Sequence, residues 1–415
     1  MSDFVTLTCR WGRMPVPASA SPQVGYLLVE AVAQASPTTA MPLNLCFVLD
    51  RSGSMQGAKL ESLKAATRKV IELLRPQDVA AIVIFDDTVQ TLVPATPVGD
   101  RSALLAAVDS ITEAGGTAMS LGMKAGQVEL QKYLGPDRIS RMLLLTDGQT
   151  WGDEPLCRDL ARELGQAGAR ITALGLGVEW NEQLLDDIAA ASDGYSDYIA
   201  DPAQITTFFQ QAVQTAQATV ATDARLLLRF VRDVTPRAVY RVKPVIANLG
   251  YQPIGETAVA TRLGDLVGGE PTAILLDVML PPRASGRFRI AQAELHLTPV
   301  GQSTEMVIKQ DVLLEVADQV GPESFVPGVM NLVERVTAFK LQTRALSEAA
   351  SGNVAGATQK LRAAATRLLD LGELELAEKT NQQATALEQG RQLSPEAQKE
   401  LRYATRRLTQ RLEDE

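Results

Sequence analysis

Leu43-Asn44-Leu45-Cys46-Phe47-Val48-Leu49-Asp50-Arg51-Ser52-Gly53-Ser54-Met55 is a short, mostly apolar run that ends in a carboxylate and continues into two hydroxyls. A run of this length holding Phe47 and Val48 predicts a strand buried on both faces of a parallel sheet. Asp50 then stands at the carboxyl end of the strand, where open α/β sheets place their ligands. Ser52 and Ser54 follow on a turn that contains Gly53. One carboxylate and two hydroxyls are hard oxygen donors, suited to Mg²⁺ or Ca²⁺ and not to zinc or copper.

Beyond this run the chain alternates strands and helices to about residue 218. Strands are predicted at 43–49, 79–85, 88–93, 141–146 and 170–176, and helices at 57–74, 101–110, 118–134, 154–167, 181–191 and 202–218. Leu60, Leu63, Ala66, Val70, Ile71 and Leu74 recur with the helical period. Alternating βα units imply a doubly wound, mainly parallel sheet covered by helices. Asp86-Asp87 separates two apolar runs as a polar hairpin turn, which implies one antiparallel edge strand. On either side the pattern is β: Phe4–Cys9 and Gly25–Val32 before, and Leu226–Val231, Val239–Val245, Ala273–Leu280 and Glu305–Glu315 after. The early strands have no sheet partner nearby in sequence, so they are expected to join the later β-sandwich, with the α/β domain inserted. From 323 to 412 the chain reads as helical, broken at Gly352-Asn353 and Gly372-Glu373 and reopened at Ser394-Pro395. These helices would serve as internal packing or as a docking surface. The expected division is N-terminal sandwich strands over 1–38, the α/β domain over 39–219, the β-sandwich over 220–318 and an α-helical region over 319–415.

Composition narrows the function. The 415 residues suffice for two or three domains, and 46% are hydrophobic, as in an ordinary globular protein. Forty-nine acids against 40 bases give a net charge of −9, which argues against a nucleic-acid surface. No apolar run is long enough for a membrane helix, and the N-terminus lacks the pattern of a signal peptide. Three cysteines (Cys9, Cys46, Cys157) are not a disulfide framework, so a cytoplasmic location is expected. The single histidine, His296, lies in a strand-like run and is expected to face solvent; alone, it excludes multi-His zinc sites and Ser-His-Asp triads. No phosphate-binding P-loop is present.

Two more segments extend the oxygen set. Gly115-Gly116-Thr117-Ala118 precedes a helix, with Thr117 placed to cap it. Leu143-Leu144-Leu145-Thr146-Asp147-Gly148 is a second buried strand ending in a carboxylate. Strand ends share one edge of the sheet, so Asp50, Ser52, Ser54, Thr117 and Asp147 can converge there.

This order resembles the metal-ion-dependent adhesion site of von Willebrand factor type A domains: Asp-x-Ser-x-Ser, then Thr, then Asp in Thr-Asp-Gly. The resemblance covers about 43–218 and matches all five positions. It implies that Ser52, Ser54 and Thr117 contact a metal, that Asp50 and Asp147 do so directly or through water, and that the metal is Mg²⁺, with Mn²⁺ or Ca²⁺ as alternatives. It further implies that a carboxylate from a protein partner completes the coordination, so the expected activity is binding and not catalysis. The flanking β segments, including Leu263–Leu276, resemble bacterial proteins that carry an inserted type A domain. Two other roles stay open: a partner subunit of an AAA+ ATPase or chelatase, and a metal-assisted phosphohydrolase, which the lack of a second acid at position 52 disfavours. A third is a metal that only stabilises loops. Trp151, Met55, Arg51 and Gln149 are expected near the rim, Arg51 to attract the partner's carboxylate and Trp151 as a contact residue or a packing one.

Overall fold

A computed structural model describes residues 4–35 and 41–410. The boundary expected at 38/39 and the reading of the first residues as free of a signal peptide fall at least partly outside them. Two compact units are present: Met1–Gln34, Asp223–Leu297 and Glu305–Glu415 form the first, Ala35–Thr222 and Thr298–Thr304 the second.

The first unit begins with β1 (Val5–Trp11), β2 (Val16–Pro17) and β3 (Gln23–Ala33). The second unit follows in the chain as β4 (Leu43–Asp50), α1 (Ala58–Leu73), β5 (Val79–Phe85), β6 (Val89–Pro97), α2 (Ser102–Asp109), α3 (Met119–Gln131), β7 (Ile139–Thr146), α4 (Glu154–Gln166), β8 (Ala169–Leu176), α5 (Glu182–Ala191), β9 (Tyr195–Ile199) and α6 (Ile205–Gln217). Its sheet runs β6-β5-β4-β7-β8-β9, parallel throughout except for β6 at the edge. Every residue of β4, β5 and β7 is buried, which is why these strands read as unbroken apolar runs. On one face of the sheet Leu60, Leu63, Ala66, Val70 and Ile71 of α1 pack with Phe47, and Phe209 of α6 meets Phe47 at a ring-centroid distance of 6.2 Å. The strand β9 was not anticipated. Its sequence, Tyr-Ser-Asp-Tyr-Ile, carries a buried serine that donates to Asp186 of α5 and a buried aspartate that accepts from Tyr198 N–H, bonds that no hydropathy pattern reveals.

The chain then returns to the first unit through β10 (Thr219–Phe230), β11 (Thr235–Lys243), β12 (Ala247–Asn248), β13 (Gln252–Ile254), β14 (Ala258–Val267), β15 (Pro271–Leu280), β16 (Gly286–Pro299) and β17 (Met306–Ala317). Two sheets result, ordered β1-β3-β15-β11-β12 and β13-β14-β10-β16-β17-β2. The early strands do complete the later sheets: β3 pairs with β15, Leu28 opposite Leu275, and β2 pairs with β17. His296 lies on β16 and is less exposed than expected, since its ring accepts or donates a hydrogen bond at 3.1 Å with Glu305, the residue just before β17. Four helices end the chain: α7 (Pro327–Ala350), α8 (Val354–Asp370), α9 (Leu374–Glu388) and α10 (Pro395–Arg406). Val329, Leu332, Val333 and Val336 of α7 pack against Val242 and Leu275 of the sandwich. The reversals before α8 and α9 fall at the two glycine breaks, and the Ser394 hydroxyl caps α10 by accepting from the Ala397 N–H at 3.2 Å.

Candidate metal centre

The five oxygen-bearing residues come from three segments at the carboxyl edge of the parallel sheet. Asp50 closes β4, Ser52 and Ser54 lie on the turn that follows, Thr117 precedes α3, and Asp147 follows β7. Asp50 is fully buried; its Oδ1 accepts from the Ser52 N–H at 2.8 Å and its Oδ2 from the Thr146 hydroxyl at 2.6 Å. The Ser52 and Ser54 hydroxyls stand 3.0 Å apart, and Ser54 Oγ donates to Asp147 Oδ1 at 2.6 Å. Thr117 closes the group from the far side. A Cβ added at Gly148 would lie 3.1 Å from Thr117 Oγ1, tighter than ordinary contact, so a side chain there would crowd that hydroxyl.

The loop that carries Thr117 is held by backbone and acidic groups. The Gly53 N–H donates to the Gly115 carbonyl at 3.1 Å, and Ala114 N–H to the Arg51 carbonyl at 2.8 Å. The Asp86 carbonyl accepts from Ala118 N–H, and Asp87 Oδ2 from Gly116 N–H, both at 2.8 Å. Gly115 has φ +60°, a conformation that favours glycine. On the opposite side, Thr150 Oγ1 donates to the Thr117 carbonyl at 3.2 Å and Asp153 accepts from the Ser120 N–H at 2.9 Å.

The sequence-derived residues therefore converge, while their neighbours depart from expectation in four places. Arg51 does not line the rim: its guanidinium pairs with the buried Asp86 at 2.5 Å, because the turn directs it back towards the β5–β6 hairpin. Met55 is fully buried, taken into the core by the short 3₁₀ turn Gly53–Met55. Thr117 caps nothing; α3 starts after Ala118 without a side-chain cap. Asp86-Asp87 is more than a polar turn, since it ties down the Thr117 loop. Trp151 is 81% exposed, and Gln149 is exposed as well. Sequence reading missed Thr146, the hydroxyl on Asp50, and Lys59, whose ammonium pairs with Asp147 Oδ2 and donates to the Ser54 carbonyl at 3.2 Å. The position of Lys59 in the first turn of α1, just beyond Gly57, was the available signal.

Burial pushes the Asp50 carboxyl up to about 6, against the hydrogen bonds from Thr146 and Ser52 that favour its charge; Asp147 nearby adds to the rise. Burial also works against the charge of Asp86, but the hydrogen bonds of Thr88 and the Arg51 guanidinium outweigh it and hold that carboxyl below its usual range. Among the described residues, no cluster of three or more His, Cys, Asp or Glu side chains is placed to ligate a metal. A cation at this edge would accordingly rely on hydroxyls. The donors fit one: all are hard oxygens, and both carboxylates are already engaged by protein donors, which leaves the hydroxyl lone pairs of Ser52, Ser54 and Thr117 for direct contact.

Comparison with known proteins agrees with this architecture. The von Willebrand factor type A domain matches residues 44–211, and the Sll0103-like, C-terminal alpha-helical domain matches residues 327–411. Across 376 residues, 89% of either chain, the sequence is 30% identical to the uncharacterized protein sll0103 of Synechocystis sp.. The chain belongs to the Sll0103-like family of von Willebrand factor type A domain proteins. A solved von Willebrand factor type A protein from Catenulispora acidiphila shares the fold of this type A protein over 98% of both chains, with a TM-score of 0.76 and 19% identity. The E3 ubiquitin-protein ligase WAV3 of Arabidopsis thaliana is 27% identical over 375 residues; the chain spans 47% of that protein's length.

Proposed function

We propose that this type A domain protein is a metal-dependent protein-interaction module. Ser52, Ser54 and Thr117 would hold the metal through their hydroxyls, with Asp50 and Asp147 acting directly or through water. Mg²⁺ is the expected ion, and Mn²⁺ or Ca²⁺ would meet the same donors. The observation that carries the reading is the contact between Ser52, Ser54 and Asp147, three donors from two strand ends within 3.0 Å and 2.6 Å of one another. When bound, such a metal supplies an electrophilic position for an outside carboxylate. The hydroxyl-rich site supports this, because few anionic donors leave most of the positive charge uncompensated. Membership of the type A family supports a protein partner, offering an Asp or Glu.

We infer binding and not catalysis. Asp50 has no second acid at position 52, and both its oxygens are occupied by Ser52 and Thr146. We place the protein in the cytoplasm, a reading supported by three cysteines that form no disulfide. No described helix is long and apolar enough to cross a membrane.

Calorimetric titration with Mg²⁺ and Mn²⁺ tests the metal, and pull-down with and without chelator tests the partner. Asp50→Ala should remove both activities with the fold retained by circular dichroism. Capture that persists in excess chelator would sink the reading, as would Mg²⁺-dependent turnover of p-nitrophenyl phosphate that Asp50→Ala abolishes.

A further inference from the structure

A cleft in the first unit, far in sequence from the metal edge, carries a different chemistry. It has a volume of about 380 Å³ and lies where β11, β12 and β15 meet α7. That is within the range of small-molecule sites, roughly 300–1,000 Å³. Three cationic side chains line it, Arg237, Lys340 and Arg344, against one acid, Asp277. Lys340 is already committed: its ammonium meets Asp277 Oδ2 at 3.2 Å and stands 5.1 Å from the centre of the Tyr240 ring. Arg237 and Arg344 are not. Neither guanidinium has an acidic or hydrogen-bonding partner among the described residues.

This contrasts with the helices around them. Arg335, Lys360, Arg362, Arg367 and Lys379 each meet a carboxylate. In a chain of net charge −9, two unpaired arginines facing one cleft are a local reversal of sign. The walls are also held in place. Tyr240 is buried and packs edge-on against Phe339, with ring centroids 6.5 Å apart, and the Tyr251 hydroxyl donates to the Pro236 carbonyl at 3.2 Å. A planar guanidinium offers paired N–H donors that match the two oxygens of a carboxylate or phosphate. Arg237 and Arg344 are both exposed at the cleft mouth, and a pair of guanidinia there favours a ligand with at least two oxyanion groups.

We propose that this cleft binds a small polyanion, held by Arg237 and Arg344 with Tyr251 as a wall. Phosphate and carboxylate oxygens share the recognition chemistry, so the test uses both sources. Full-length protein is titrated calorimetrically with pyrophosphate and, separately, with citrate, at constant ionic strength and without divalent metal. Saturable binding of at least one probe is expected. It should weaken at least tenfold in Arg237→Ala/Arg344→Ala and change less than twofold in Arg362→Ala, a control on another surface. Arg237→Lys/Arg344→Lys, which keeps the charge but loses the fork, should recover only part of the affinity. Absence of saturable binding by either probe overturns the proposal, as does equal loss in the control variant. Asp50→Ala should bind the polyanion as the wild type does, so failure here and failure of the metal reading can be told apart.

Discussion

Lys59 sets the charge of the metal edge. Its ammonium, on a side chain a third exposed, pairs with Oδ2 of the buried Asp147, while Ser54 takes Oδ1. The edge thus holds two carboxylates and one half-buried cation. A divalent ion drawn to the same carboxylate meets a repulsion of roughly 1 kcal/mol or more, depending on the local dielectric. Lys59→Met should therefore tighten Mn²⁺ binding by about tenfold, ~1.4 kcal/mol, as read by calorimetry. Weaker binding in that variant would mean that Lys59 instead aims Asp147 at the site. None of this was legible in the motif. A lysine nine residues beyond Asp50 reads as a solvated helix residue, and its ion pair depends on the angle at which α1 leaves the turn. Arg51 and Met55 were misplaced for a related reason. Arg51 lies in the irregular stretch before the 3₁₀ turn Gly53–Met55 and Met55 ends that turn, and neither has a period from which side-chain direction can be read.

At the scale of elements, the loop before α3 is the part of the site with least support of its own. Its position rests on the β5–β6 hairpin, chiefly through Asp86 and Asp87. Asp86→Asn leaves the Arg51 guanidinium, 19% exposed, without its charged partner. A loss of about 3 kcal/mol is expected from breaking such a pair, seen as a lower urea midpoint, while the bond from Ala118 N–H to the Asp86 backbone carbonyl persists and metal affinity changes little. Ser394→Ala offers the contrast. Removing that cap should cost ~1 kcal/mol and leave metal affinity unchanged. The elements themselves were mostly readable. Strands buried on both faces announce themselves as apolar runs, and α1 through its buried spacing. The strand β9 was hidden because its buried polar atoms are satisfied by residues such as Asp186, which lies ten positions earlier.

At the scale of the molecule, the two units should answer differently to metal. Ligand that binds only the folded form stabilises it by about 2.7 kcal/mol at a hundredfold excess over Kd. Mg²⁺ should raise the transition of the α/β unit in scanning calorimetry, leave that of the sandwich and helices in place, and have no effect on Asp50→Ala; a uniform shift would refute the assignment of the site to one unit. The topology has a kinetic corollary. Leu28 and Leu275 are direct strand partners, yet residues 35–222, all but the Thr298–Thr304 segment of the α/β unit, lie between them in the chain. During synthesis β1 and β3 emerge long before β15 exists, while β4 to α6 have all their partners within one continuous stretch. The insert should fold first and draw the two sandwich halves together, shortening the loop that β3 and β15 must close. Pulsed hydrogen exchange during refolding should protect β4 and β7 before β3 and β15. A core mutation such as Phe47→Ala, which removes a fully buried ring, would then slow assembly of a sandwich whose own sequence is untouched.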